Sequence, residues 1–294
     1  MPIIENSEFE NKVVVITGAG NGLGRSHAIE YAKRGAKVVV NDLGGGVDGS
    51  GAGDAADQVV AELKAMGAEA VANKASVSDP VGAESIIQSA LDAFGRIDIL
   101  VNNAGILRDR SFKKMTLADW DLVLQVHLSG TAYVTRAAWP HMNEQGYGRI
   151  VLTSSSSGIY GNFGQANYGA AKMGMLGLMN VLALEGAKNN VRVNTLAPAA
   201  ATRMISTIPG RDIDPDSPPP ESAPKLVSPA VLFMTSDEAP TGVVINAGGG
   251  RYYRAQIFVN DPINLGIEAT FEDLMANTES LMDMSQAKPK TGGV

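Results

Sequence analysis

The 294-residue chain carries 24 Lys and Arg against 31 Asp and Glu, a net charge of −7, with 45% hydrophobic residues, no cysteine and three histidines. That balance suits a globular protein with a sizeable core and gives no general attraction for nucleic acid or an anionic membrane; the missing thiols exclude disulfides, a thiolate nucleophile and a zinc–thiolate centre, and three scattered histidines speak against any metal site. The opening Met-Pro-Ile-Ile-Glu-Asn is no signal-peptide core and no run reaches the eighteen or so apolar residues that span a bilayer, so a cytoplasmic protein is expected.

Short apolar runs recur along the chain, at Val13 to Ile16, Val38 to Val40, Ile97 to Val101, Ile150 to Leu152, Val191 to Val193 and Val243 to Ile245. Several lack in-out alternation, the mark of parallel strands covered on both faces. The intervening stretches read as helices: Arg25 to Arg34 stops at Gly35, Ala55 to Met66 at Gly67 and Val81 to Phe94 at Gly95. Leu117 to Glu144, broken or bent near Pro140, and Tyr168 to Lys188 complete the set. The pattern predicts an α/β fold with a doubly wound parallel sheet. Gly44 to Gly53 reads as a solvated glycine-rich loop, and the proline-rich Arg211 to Pro229 as part of a substrate lid.

Directly after the first run comes Thr17-Gly-Ala-Gly-Asn-Gly-Leu-Gly24. Gly18, Gly20, Asn21, Gly22, Leu23 and Gly24 thus stand where a strand passes into a helix and backbone N–H groups can meet a pyrophosphate. The spacing is G-x-x-x-G-x-G, and by itself it fits a tight turn as well. Asp42, after the second run, can accept from the adenosine ribose hydroxyls and would repel a 2′-phosphate; no Arg or Lys follows closely, which favours NAD over NADP. The alternative for Asp42 is a turn cap.

Tyr168 and Lys172 are four apart, so their side chains share one helix face, and an ammonium beside a phenol lowers a proton affinity that ordinarily sits at about 10. Tyr168 could then work as general acid or base near neutral pH, with Ser155, at the end of the Ile150 run, hydrogen-bonding the substrate oxygen. Taken singly, the Tyr-Lys pair equally fits an exposed helix face.

Together the glycine turn, Asn102-Asn-Ala-Gly105, Ser155, Tyr168-Gly-Ala-Ala-Lys172, the Pro198 segment and Ala247-Gly-Gly-Gly250 resemble the short-chain dehydrogenase/reductase family. The resemblance implies a single Rossmann-type domain over residues 8–250, with a lid over 203–229 and helices on both sheet faces. Residues 251–294 would form an extension, helical around Ile267 to Met284 and disordered from Lys288. It implies that Lys172 also binds the nicotinamide ribose. Asn103, Ala104 and Gly105 would line the cleft, Ser76 and Val77 the adenine site, and Pro198 and Thr202 the nicotinamide side.

Three departures stand out: His127 where the family has Asn, Pro198-Ala199 where it has Pro-Gly with Thr202 one residue early, and Ser76 where it has Asp. His127 either joins a catalytic relay to Lys172 or is a packed helix residue. Longer stretches around Asn41 to Gly46, Asn102 to Phe112 and Ser157 to Tyr168 are similar to the branch that oxidises (3R)-hydroxyacyl-CoA with NAD. Alternatives are a 17β-hydroxysteroid dehydrogenase, a 3-ketoacyl thioester reductase and, remotely, a non-catalytic nucleotide-binding module. Arg108, Arg110, Lys113 and Lys114 form a basic cluster for CoA phosphates, or a solvated loop. The resemblance further implies a homodimer or homotetramer, a small acyl-CoA or sterol-type substrate, and neither nucleic acid nor membrane as partner.

Overall fold

The computed structural model describes residue 4, residues 7–202, residue 214 and residues 217–290. An eight-stranded sheet runs through it in the order β3-β2-β1-β4-β5-β6-β7-β8. The strands are β1 (Val13–Thr17), β2 (Lys37–Asn41), β3 (Ala70–Asn73), β4 (Ile99–Asn102), β5 (Gly148–Thr153), β6 (Val191–Pro198), β7 (Val244–Gly248) and β8 (Arg251–Ala255). Pairing is parallel from β3 through β7. Because crossover helices cover both faces, β1, β4 and β5 are buried along their whole length. The expected doubly wound sheet is what the chain builds. The edge strand β3 was not among the apolar runs: Ala-Val-Ala-Asn is too weakly apolar to announce a strand.

The strand order reverses between β1 and β4, which opens a crevice at their carboxyl ends, and every candidate catalytic element borders it. Helix α1 (Gly22–Ala32) leaves β1, α2 (Ala55–Ala65) and α3 (Pro80–Phe94) follow β2 and β3, and α3 ends on Gly95 at φ 77°. The predicted long helix from Leu117 is broken elsewhere than expected. Helix α4 (Leu117–Leu124) widens into a π turn at Gln125–Ser129, and α5 (Gly130–Gln145) then continues past Pro140 without a break. The wide turn carries His127, whose ring bonds the Ile106 backbone, so the break in the helix falls at the cleft. Helix α6 (Ser156–Tyr160) is one turn, and α7 (Ala166–Gly186) carries the Tyr-Lys pair.

Arg149 on β5 is 1% exposed, and its guanidinium donates to the carbonyls of Gly148, Asn190, Ser236 and Asp237. Arg149→Met removes every one of these donors and leaves buried carbonyls unpaired, so a loss of roughly 3 kcal/mol is expected in urea unfolding. A loss under about 1 kcal/mol would show that the carbonyls find water instead.

The chain divides into two compact units, one running to Arg254 and one from Ala255. In the second, helices Phe271–Ala276 and Thr278–Met282 fall within the expected helical stretch. Lys288 and Pro289, expected to be disordered, instead pair antiparallel with Val259 and Phe258, a correction to the expectation; residues 291–294 lie outside the described residues. About half of the anticipated lid, 203–213 and 215–216, lies outside the described residues too. Among the described residues no helix is long and apolar enough to cross a membrane, and no His, Cys, Asp and Glu group could hold a metal ion.

Candidate active site

At the β1–β4 crevice a cleft of about 320 Å³ runs from Asp42 and Ser76 at one end to Ser155, Tyr168 and Lys172 at the other, passing the glycine turn. Gly18 turns the chain off β1 at φ 63°, and a Cβ there would lie 2.7 Å from the Ala104 Cα. The turn can therefore press against the Asn103 to Gly105 loop only without a side chain. Asn103 sews the two together: its Nδ2 donates to the carbonyls of Thr17 and Gly18, both at 3.0 Å.

Of the glycine-turn residues, Gly18, Asn21, Gly22 and Leu23 line the cleft. Gly20 and Gly24 are not among the lining residues. The Gly20 N–H is spent on Asp42 Oδ2 at 2.7 Å, and a Cβ on Gly24 would meet Asn103 Nδ2 at 2.7 Å. Asp42 accepts a second backbone bond, from Gly44, on Oδ1 at 2.7 Å. It is both turn cap and cleft wall, since each carboxylate oxygen keeps a further lone pair. Ser76, Val77, Asn103, Ala104, Gly105, Pro198 and Thr202 also line the cleft, and Thr202 faces Gly22 across it.

The Gly44 to Gly53 segment was expected to be a solvated loop. It closes on itself through Gly53 N–H to Leu43 O and Gly46 N–H to Ser50 O, and it lays Gly45, Gly46, Val47 and Gly49 along the cleft. The Val47 carbonyl accepts from Leu107 N–H at 2.9 Å, and Arg108 Nε donates to the Asp48 carbonyl at 2.8 Å. Arg108, which also pairs with Asp119 at 3.5 Å, is thereby withdrawn from the anticipated phosphate cluster, whereas Arg110, Lys113 and Lys114 stay exposed. Cleft residues that sequence reasoning missed, Leu43, Val47, Ile106, Leu122 and Val126 among them, are mostly apolar and carry no spacing signal.

At the other end Ser155 caps α6, its Oγ accepting from Ser157 N–H at 3.2 Å, and its hydroxyl lies near enough to Tyr168 to favour the phenolate. Lys172 Nζ lies 5.5 Å from the Tyr168 ring centre and donates to the Thr153 carbonyl at 2.6 Å. Tyr168 is 8% exposed and Lys172 4%. Burial dominates both: it pushes the phenol up to about 12, with the nearby Ser155 hydroxyl opposing and the Asp109 charge adding, and brings the Lys172 ammonium down to about 7. The expectation that the ammonium lowers the phenol is therefore corrected. Helix spacing fixes their neighbourhood, but withdrawal from water costs both charged forms more than their mutual attraction returns at this separation.

His127 packs edge-on against Tyr168, with ring centres 5.1 Å apart. Burial, then the Lys172 charge, keeps its pKa well below the usual 6.5, so the ring is neutral. Nε2 meets the Ile106 N–H at 3.0 Å and carbonyl at 2.8 Å, while Nδ1 is buried without a partner. Of the two roles left open for His127, the protein bonds described are those of a packed ring.

Residues 12–209 match the family model described as short chain dehydrogenase. The chain is 50% identical over 281 residues to a short-chain type dehydrogenase/reductase of Mycobacterium tuberculosis, covering 95% of this chain and 96% of the relative. It is 48% identical over 295 residues to the peroxisomal multifunctional enzyme type 2 of Mus musculus, where it spans 96% of its own length but 38% of that enzyme. A crystal structure of a short chain dehydrogenase from Mycobacterium avium superposes with a TM-score of 0.82 at 38% identity, covering 98% of this chain and all of that one.

Proposed function

As the chain belongs to the short-chain dehydrogenase family and is an oxidoreductase acting on CH–OH groups, we propose that it oxidises a (3R)-hydroxyacyl-CoA to the 3-ketoacyl-CoA with NAD as hydride acceptor. The observation that carries this reading is the convergence of Ser155, Tyr168 and Lys172 on one end of a cleft whose other end holds Asp42. The acyl-CoA choice is supported by the sequence likeness over Asn102 to Phe112 and Ser157 to Tyr168.

The residues present fit a dinucleotide. The α1 N-terminus and the Gly18 to Leu23 turn would receive the pyrophosphate, and Asp42 the adenosine ribose. NAD is favoured over NADP because Lys172 is the one Lys or Arg among the described cleft residues, and it lies at the far end from Asp42. When bound, NAD supplies the site that takes up the hydride. Tyr168 Oη takes the hydroxyl proton from the substrate, and the Ser155 hydroxyl donates to the oxygen on which charge develops. Lys172 favours the phenolate when it is itself protonated, so the two titrate as a pair. A homodimer or homotetramer belongs to the same proposal: α7 leaves Val181 and Leu184 exposed, at 52% and 60%.

The test is a panel at fixed NAD: (3R)-hydroxyacyl-CoA, a 17β-hydroxysteroid and, in the reverse sense, NADPH with an acetoacetyl thioester. kcat/KM is expected to be highest for the CoA ester, and a steroid or NADPH reaction ahead of it overturns the assignment. In the same assay Asp42→Ala should raise KM for NAD by about tenfold or more, because the ribose acceptor and the Gly20 and Gly44 cap are lost together. An unchanged KM would remove Asp42 from the nucleotide site.

A further inference from the structure

Near the Tyr168 phenol lies a carboxylate that the reaction above does not use. Asp109 sits in the loop after β4 and is not among the residues that line the cleft. Its Oδ2 accepts from Gln165 Nε2 at 2.7 Å, while Oδ1 is buried and has no hydrogen-bond partner. Gln165 is the buried residue immediately before α7, three positions ahead of Tyr168. The same loop is stitched to the start of α7 by two further bonds, Arg110 N–H to the Gly164 carbonyl at 2.9 Å and Asn167 Nδ2 to the Arg108 carbonyl at 3.2 Å, and Asn167 Nδ2 also reaches the Asp119 carbonyl of α4 at 3.2 Å. Asn167 Oδ1 in turn accepts from Tyr168 N–H at 2.8 Å.

We propose that Asp109 is a positioning residue for the general base: pinned by Gln165, its half-buried carboxylate fixes the head of the catalytic helix and places a negative charge near Tyr168. An unsatisfied carboxylate oxygen is costly to bury, and an apolar side chain would tie the loop down as well if packing were all that was needed. The groups facing the phenol are few. Lys172 comes from its own helix, neutral His127 from the π turn, Ser155 from the end of β5, and Asp109 from the β4 loop. Asp109 is the anion in this set and adds to the retention of the phenol proton, whereas the lowered Lys172 owes its shift to burial.

This inference rests on Tyr168 acting as the base, and its test separates the two ideas. The full-length protein with saturating NAD is assayed for kcat/KM on (3R)-hydroxyacyl-CoA from pH 6 to 10. Asp109→Asn keeps an oxygen for Gln165 and removes the charge, so the limb on which kcat/KM rises with pH should move to lower pH by half a unit or more. Asp109→Ser, a smaller neutral replacement, should move it the same way, and Asp109→Glu should restore the wild-type profile. A merely structural role lowers kcat without shifting the limb; superimposed wild-type and Asp109→Asn profiles, or a shift to higher pH, overturn the proposal. Loss of folding in both neutral variants while Asp109→Glu folds with a displaced limb would also refute it. Absence of wild-type turnover on every substrate would instead refute the function on which it rests.

Discussion

Tyr168→Phe should lower kcat by about 10³-fold or more while NAD binding stays within about twofold of wild type. The ring keeps its place, because what holds it is apolar: Ile106, Leu107 and Val123 are buried with it, and His127 meets it edge-on. What disappears is the hydroxyl, and with it the atom that moves the substrate proton. Stability should change little. The apolar contacts of the ring are kept, and Ser155 keeps its bond from Ser157 N–H. Stopped-flow NADH formation and fluorescence titration of the nucleotide give the two readings. Turnover within about tenfold of wild type would move the proton step to another group; lost nucleotide binding would show that the ring supports the cleft itself.

Lys172→Met should also abolish most activity, yet make the protein more stable at pH 7. The lysine is 4% exposed, and burial holds its pKa at about 7, against about 10.4 in an unfolded chain. Between these values the unfolded chain binds a proton that the native state does not. Wild-type stability therefore rises as pH climbs from 7 towards 10.4, and the contribution is lost again as pH falls back to 7. A shift of that size corresponds to roughly 4 to 5 kcal/mol, of which about 1 is offset in the comparison by the lost Thr153 hydrogen bond. In urea unfolding the variant should lead by roughly 3 kcal/mol at pH 7, with the gap closing towards pH 10. A gap that does not vary with pH would mean that Lys172 keeps its proton in the folded protein. The active site would then resemble other catalytic sites where function is held at the expense of stability.

These two residues also show what could and could not be read from the chain alone. Their four-residue spacing, and the glycine cluster after an apolar run, are local facts that backbone geometry turns directly into a shared face and an open turn. Their charge states are not local. Burial of Tyr168 and Lys172 is set by β5, the π turn and the loop after β4, which come together only in the fold. The same holds for Gly20 and Gly24, indistinguishable in sequence from their neighbours yet committed to Asp42 and to the Asn103 loop. The Gly44 to Gly53 loop is as solvated as expected, but glycine and serine mark a turn without saying that one edge of it borders a cleft. The π turn had no signal of its own, since Pro140 offered a more conventional place for a helix to yield.

The order of strands has a consequence for how this protein comes into being. β1 emerges early, but its neighbour on the catalytic side is β4, with Val14 set against Ile99. Until that partner is synthesised and docks, the Thr17 and Gly18 carbonyls have no Asn103 amide to receive and the nucleotide crevice has a single bank. An N-terminal fragment ending before β4 should therefore have no dinucleotide affinity, however well its helices form. Long-range parallel pairing of this kind is slow to close. Gain of nucleotide binding during refolding would thus time the joining of the two halves, and lag behind the helical signal.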